Sequence, residues 1–247
     1  MLRFTSALTR ASSARARAYF SSSSSSSSPS LASASSLVAR IGPLPVVFLL
    51  AANTAVCGTY LVYGPSSSAV RRFYDANMVL SARRFRRRRW TIVTHFFTHL
   101  DALHLVVNML SIYSFGGVAC QMLGNVRFAV LYTTSGLVGG FSQLAFNRAI
   151  PRSSFPAARV VRPDDAAVGA SAAIAGIVCY YATRVPAGEI TLFVLPVPNV
   201  AFVSLFITGS LYLALFGTER SNIAHAGHLG GATVGIAYAL FRRFRRA

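Results

Sequence analysis

The sequence predicts an all-α, polytopic membrane protein, and two properties of its composition carry that prediction. Apolar residues make up 53% of the 247 residues and charged residues only 12%, and the mean hydropathy is +0.51. Soluble domains contain about 25% charged residues, which cover the surface that faces water. The composition therefore excludes an ordinary cytosolic enzyme, a disordered hub and a disulfide scaffold.

Six apolar segments are long enough to cross a bilayer, which takes about 20 residues of helix. They lie at about 44–63, 100–123, 128–146, 166–183, 190–216 and 222–241. We expect the fifth helix to bend at Pro196 and Pro198, because proline removes a helical hydrogen bond. Six spans place both ends of the bundle on one side, but the arginines of the loops leave open which side that is.

The N-terminal residues 1–36 are predicted to be a transit peptide, and residues 37–247 the membrane domain. The first segment holds four arginines, many serines and no acidic residue, a composition typical of organellar targeting sequences. It lacks the continuous apolar core of a secretory signal. We expect the mitochondrial inner membrane, with a plastid membrane as the second choice. A low-complexity tail without a targeting role is the alternative.

The formal net charge is +18, and all 24 basic residues are arginine. Such a charge can indicate nucleic-acid binding, but here the arginines lie in the N-terminal tail, the loops and the C-terminus, between apolar segments. We therefore predict no nucleic-acid partner. The cluster Arg83–Arg89, which Trp90 follows, is predicted to lie at the membrane interface and to contact anionic lipid headgroups.

Polar residues inside the predicted spans are candidates for function, because placing polar groups in hydrocarbon costs free energy. The candidates are His104 and Asn108 in the second span, Gly169 and Ser171 at the start of the fourth, and His228, Gly231 and Gly235 in the sixth. The two in the second span are four residues apart and so share one helix face.

These residue types together suit serine hydrolysis. A serine hydroxyl becomes a good nucleophile when a base such as histidine removes its proton, and Ser171 lies where helical N–H groups lack partners and could stabilise an oxyanion. The spacing of Gly231 and Gly235 allows a second helix to approach closely, which would bring His228 to Ser171. No metal or organic cofactor is predicted, and the three cysteines lack ligand spacing.

Three motifs resemble those of the rhomboid intramembrane serine proteases, most of all the mitochondrial branch. They are FFTHLDALHLVVNMLSIYSFGG in the second span, GAS in the fourth and AGHLGGATVG in the sixth, and the resemblance covers about residues 44–241. It implies a six-helix rhomboid-like bundle in which Ser171 is the nucleophile and His228 the general base. It also implies an oxyanion hole lined by Asn108 and His104, and transmembrane helices of other proteins as substrates. The oligomeric state stays open.

The sequence departs from the family pattern at three places. Ala172 stands after the serine, where the family usually has glycine, and its methyl could crowd the crossing of helices four and six or be tolerated. Ala175 replaces an aromatic residue of bacterial members, so we expect His228 to lose a stacking partner. The residue after Trp90 is Thr91 rather than arginine.

Two other classes of protein fit parts of the sequence. The first is a catalytically inactive rhomboid that binds membrane proteins and controls their folding or turnover, for which Ala172 is the main support. The second is a small transporter or channel, which predicts charged residues near mid-membrane and an internal repeat that we do not find. His95, His99 and His225 are predicted mainly to support loops and helix ends.

Overall fold

The computed structural model describes residues 43–149, 166–192, 195–216 and 224–244. In chain order they form α1 (Leu44–Tyr63), α2 (Ser68–Asn77), α3 (Ala82–Arg87), α4 (Thr91–Thr94), α5 (Ala102–Ser111), α6 (Gly117–Leu123), α7 (Asn125–Ala149), α8 (Ser171–Arg184), β1 (Glu189–Leu192), β2 (Leu195–Pro198), α9 (Asn199–Phe216) and α10 (His225–Phe244). A π-helical turn at Ile112–Gly116 joins α5 to α6. The predicted transit peptide, residues 1–36, lies outside the described residues.

Within the described ranges, three helices are long and apolar enough to cross a membrane: α1, α9 and the continuous helix Ala102–Leu123. They correspond to the first, second and fifth predicted spans. At the other three predicted spans the structure has the helices α7, α8 and α10, which do not reach the same combination of length and hydropathy. The helical membrane fold is thus confirmed, while the count of six spans stays a prediction.

The prediction of one bent helix over residues 190–216 is wrong. Strands β1 and β2 form an antiparallel hairpin with Ile190 opposite Val197, and α9 begins only at Asn199. Pro196 and Pro198 therefore lie in a strand and do not bend a helix. The physical reason is that each proline lacks an N–H and disfavours helical backbone in the residue before it.

The fourth helix also begins later than predicted, at Ser171 rather than at residue 166. Ala167 instead pairs with Leu80, through backbone hydrogen bonds of 3.0 Å from the Leu80 N–H and 2.8 Å from the Ala167 N–H. A helix of 14 residues rises about 21 Å, less than the hydrocarbon thickness of about 30 Å. Ser171 is the first residue of this short helix.

The segment between residues 64 and 98, which joins the first two predicted spans, contains α2, α3 and α4. Tyr74 donates a hydrogen bond to the Val56 carbonyl of α1 (2.6 Å), and Thr94 donates to the Asn77 carbonyl (2.6 Å). These bonds tie the segment to α1 and to itself. The short helices therefore form a fixed layer that leads into the 3₁₀ turn His95–Phe97.

The centre of the bundle is formed by α7, α8 and α10, which pack through small residues. Gly176 of α8 lies against the Ser135 side chain of α7, and Gly235 of α10 lies against the Gly176 carbonyl. Ten of the fourteen residues of α8 are buried. The largest fully buried side chains include Phe96, Phe128, Tyr132, Ile177 and Tyr180. The core therefore surrounds the helix that carries Ser171.

Candidate active site

Ser171 and His228 are in direct contact. The Nε2 atom of His228, on the first turn of α10, lies 2.7 Å from the Oγ atom of Ser171, the first residue of α8. A hydroxyl donates to Nε2 when that nitrogen carries no proton. This distance falls within the hydrogen-bond range between a nucleophile and the base that activates it.

The contact depends on a close crossing of α8 and α10. Gly231 lies against the carbonyl oxygen of Ala172, and Gly235 lies against the carbonyl oxygen of Gly176. A Cβ at either glycine would overlap the facing oxygen. The pair of glycines, four residues apart, therefore allows the two backbones to touch, and His228 precedes the first of these crossing points by three residues.

Gly169 shapes the turn that precedes Ser171. Its backbone has a φ of +108°, in the region that favours glycine. A Cβ at this residue would also lie 2.5 Å from Cε1 of His104. Both the backbone conformation and the adjacent imidazole ring thus require glycine. The ring of His104 lies against Gly169, which precedes the serine by two residues.

His104 and Asn108 both lie on α5, as predicted. Asp101 caps this helix by accepting from the His104 N–H (2.7 Å). Asn108 is buried, and its Nδ2 donates to the His104 carbonyl within the same helix (2.9 Å). An amide has two N–H donors, so this bond uses one of them. The structure therefore brings His104 to the turn before Ser171, whereas the observed bond of Asn108 stays within α5.

Two histidines before α5 hold this turn. The His95 carbonyl accepts from the Gly169 N–H (2.9 Å), and His99 Nε2 accepts from the Ala170 N–H (3.5 Å). Burial lowers the pKa of both histidines to about 4, so that each ring is neutral near pH 7. The ring of His99 also meets the ring of His104 edge-on at 4.9 Å.

The expectation that His228 lacks a stacking partner is wrong, because Phe206 of α9 stacks on it. The two ring centroids lie 6.1 Å apart and the planes differ by 25°. Phe206 packs against a cluster that includes Ala175 and Cys179 of α8. The small side chain of Ala175 leaves space that an aromatic ring from α9 fills.

The methyl group of Ala172 faces α7 rather than the crossing of α8 and α10. A Cβ added at Gly139 of α7 would lie 2.5 Å from the Ala172 Cβ. It is the carbonyl of Ala172, not its side chain, that meets Gly231. Of the two outcomes expected for this alanine, the structure thus favours tolerance, because a glycine on the neighbouring helix makes room for the methyl.

The start of α10 is anchored to α7 by a buried amide. Gln143 accepts a hydrogen bond from the Gly227 N–H (3.0 Å) and donates to Asn147 (2.7 Å). His225, the first residue of α10, is buried and meets the ring of His228 edge-on at 6.0 Å. These contacts fix the turn of α10 that carries His228.

The fold and this site define a helical membrane protein with a serine–histidine pair at the centre of its bundle. The Rhomboid domain family model matches residues 86–244, and the chain belongs to the rhomboid family.

Named relatives place the chain in one branch of that family. It is 31% identical to Rhomboid protein 1, mitochondrial, of Saccharomyces cerevisiae, over 61% of this chain and 41% of that protein. It is 30% identical to RHOMBOID-like protein 12, mitochondrial, of Arabidopsis thaliana, over 81% and 59%. It is 25% identical to the human Presenilin-associated rhomboid-like protein, mitochondrial, over 59% and 36%. The chain thus spans less than two thirds of each relative's length. The expected mitochondrial membrane localisation is confirmed.

Proposed function

We propose that this protein is an intramembrane serine endopeptidase of the mitochondrial inner membrane. The observation that carries the proposal is the 2.7 Å contact between Ser171 Oγ and His228 Nε2. A hydrogen-bonded serine and histidine inside a water-poor bundle is the arrangement that activates a serine for attack on a carbonyl.

The proposed reaction proceeds through an acyl-enzyme. His228 takes the hydroxyl proton while Ser171 Oγ bonds to the peptide carbonyl carbon, and the carbonyl oxygen becomes an oxyanion. His228 then gives the proton to the leaving amine as the C–N bond breaks. A water molecule, deprotonated by His228, hydrolyses the ester and restores the serine hydroxyl.

Donors for the oxyanion are proposed from two helices. The backbone N–H of Ser171 belongs to the first turn of α8, where N–H groups have no intrahelical partner. The ring of His104, held against Gly169, and the amide of Asn108 are the proposed side-chain donors. The support is stronger for His104 than for Asn108, because the ring of His104 lies against the turn that precedes Ser171.

The proposed substrates are transmembrane segments of other membrane proteins. A helix shields its peptide carbonyls with its own hydrogen bonds, so we expect cleavage where small or helix-breaking residues unwind it. The proposed partners also include membrane lipids, because the segment Arg83–Arg89 is expected to face anionic headgroups.

The second candidate function is a pseudoprotease that binds membrane proteins without cutting them. Its support in the sequence is Ala172. Because Gly139 accommodates the methyl of this alanine, the substitution does not by itself argue against catalysis.

The experiment is a cleavage assay with the full chain in liposomes. The substrates are single-pass segments that contain a Gly-Pro pair near one end, beside all-leucine segments of the same length, and mass spectrometry identifies the products. We expect cleavage of the helix-breaking segments only. Cleavage should be lost in Ser171→Ala and His228→Ala and retained in Ser204→Ala, a change on the exposed face of α9. If the protein binds the segments but does not cleave them, the proposed protease function is wrong and the pseudoprotease function is favoured.

A further inference from the structure

A cleft of about 550 Å³ lies between α3 and the C-terminal half of α7, apart from the serine–histidine pair. Its two walls come from elements far apart in sequence, one from residues 82–89 and one from residues 141–148. Both walls carry apolar residues at one end and arginine at the other.

The α7 wall changes from apolar to basic along a single helix face. Phe141, Leu144, Ala145 and Arg148 line it, at the spacing that repeats on one side of a helix. Phe141 is 49% exposed, so about half of its surface is not covered by the rest of the protein. Arg148 lies seven residues after Phe141, a rise of about 10 Å along the helix, which is the scale over which a bilayer changes from hydrocarbon to headgroups.

The opposite wall has the same pattern. Ala82, Phe85, Arg86 and Arg89 line it. The guanidinium of Arg89 lies 4.7 Å from the centre of the Phe85 ring, and Phe85 meets Phe141 edge-on at 5.7 Å. The two phenylalanines therefore close the apolar end of the cleft, and the arginines stand at its rim.

The arginines of the cleft lack acidic neighbours in the part of the chain that the structure describes. Among the described residues, no acidic residue lines the cleft, and Arg86, Arg89 and Arg148 have no carboxylate partner. Two other arginines of the 83–89 segment are placed differently. Arg84 pairs with Asp75, and Arg88 donates to the Ala76 carbonyl (3.1 Å). Within this segment, Arg84 and Arg88 thus contact the fold, whereas Arg86 and Arg89 line the cleft.

We propose that this cleft is a binding site for one anionic phospholipid. Its phosphate binds the guanidinium groups of Arg86, Arg89 and Arg148, and an acyl chain lies along Phe141 and Leu144. Guanidinium groups bind phosphate oxygens through paired hydrogen bonds. The site goes beyond the general attraction of a basic segment to an anionic surface, because three arginines and an apolar wall converge on one ligand.

The apolar wall favours a lipid over a soluble phosphate. A free phosphate would contact only the arginines at the rim. It would make no contact with Phe141, which would stay exposed. An acyl chain instead covers apolar surface, which stabilises the complex by about 25 cal/mol per Å² buried. A phospholipid supplies both the anion and the chain.

Trp90, the only tryptophan of the chain, is a natural reporter because it is 53% exposed and adjacent to Arg89. The full-length protein in detergent micelles is titrated with phosphatidylglycerol or phosphatidylcholine that carry brominated acyl chains, which quench tryptophan fluorescence at short range. We expect the anionic lipid to reach half-maximal quenching at about five-fold lower mole fraction, as expected for about 1 kcal/mol of selectivity.

Two triple variants that remove the same number of positive charges are compared. Arg86→Gln/Arg89→Gln/Arg148→Gln should remove the preference for the anionic lipid. The control variant is Arg72→Gln/Arg87→Gln/Arg127→Gln, at three exposed arginines outside the cleft. It loses the same charge and should keep the preference for the anionic lipid. Phe141→Gln leaves all arginines in place and should weaken the binding of the anionic lipid several-fold.

Three results would overturn the proposal. The first is equal quenching by the two lipids, and the second is an equal loss of preference in the two triple variants. The third is displacement by inorganic phosphate as effective as displacement by unbrominated phosphatidylglycerol at matched ionic strength, which would define a simple anion site. Fluorophosphonate labelling of the same variants reads Ser171 separately, so failure of the lipid site is distinct from failure of the proposed protease.

Discussion

The outer and inner helices of this bundle differ in what their residues contact. In α1, in the helix Ala102–Leu123 and in α9, the most apolar stretches are only 22%, 28% and 11% buried within the protein. The inner helices α7, α8 and α10 are less apolar but pack against one another through glycine, alanine and serine. Hydropathy therefore marks the helices that face lipid, whereas small residues mark those that hold Ser171 and His228.

Glycines show the same difference at the level of single atoms. Gly58 and Gly209, on outer helices, have open space where a Cβ would be, but Gly231 and Gly235 face backbone oxygens of α8. Gly58 and Gly209 therefore have room for a side chain, whereas Gly231 and Gly235 set the distance between two backbones. Substitutions that add one methyl group can test the contrast directly.

The largest effect is expected for Gly231→Ala. Its Cβ would overlap the Ala172 carbonyl, so α10 must move away from α8 and take His228 from Ser171. We expect loss of fluorophosphonate labelling by at least about 100-fold and a decrease of roughly 1–3 kcal/mol in the free energy of unfolding. Labelling rates and denaturation in detergent measure both. Gly209→Ala is the control and should change neither, and equal effects of the two variants would contradict the division into inner and outer helices.

An intermediate effect is expected for the contact between Gly139 and Ala172. Gly139→Ala places two methyl groups against each other with a smaller overlap than at Gly231, and should lower the free energy of unfolding by about 1–2 kcal/mol. Adding Ala172→Gly should restore only part of it, because the new methyl also lies 2.7 Å from the Gly227 carbonyl oxygen. Denaturation of the single and double variants gives the coupling energy. Additive losses would show that the two residues do not share this space.

The smallest effect is expected for Phe206→Ala, which removes the ring stacked on His228. Aromatic contacts contribute about 0.5–1.5 kcal/mol, so we expect fluorophosphonate labelling to slow by about 2–10-fold while the folded fraction stays unchanged. The control is Leu205→Ala on the same helix, where the side chain is 67% exposed. Equal rates in the wild type and Phe206→Ala would show that α9 does not position the histidine.

Much of the candidate site was predictable because its signals are local. Ser171, His228 and the glycines Gly231 and Gly235 stand out as polar or small residues within apolar runs, and the spacing of the glycines indicates a close helix contact. Gly169 belongs to the same short motif as the serine. The sequence therefore predicted which residues meet, although not how each is held.

The missed features depend on tertiary geometry. To predict that Phe206 stacks on His228, one must know where α9 begins and which face it turns to α10. The sequence left this uncertain, because the hairpin lies within the apolar run that was predicted as one helix from residue 190. The contact between Ala172 and Gly139 joins residues on two helices that share no motif. The hairpin itself had a local signal, since the alternation of Pro196 and Pro198 is typical of extended backbone.

Whether the inner helices hold an activated serine is tested most directly by labelling the purified full-length protein with a fluorophosphonate probe. Wild type, Ser171→Ala, His228→Ala and the control Ser204→Ala are compared beside an active rhomboid protease. We expect labelling of the wild type and Ser204→Ala alone. A folded wild type that stays unlabelled, or labelling that persists in Ser171→Ala, would contradict it.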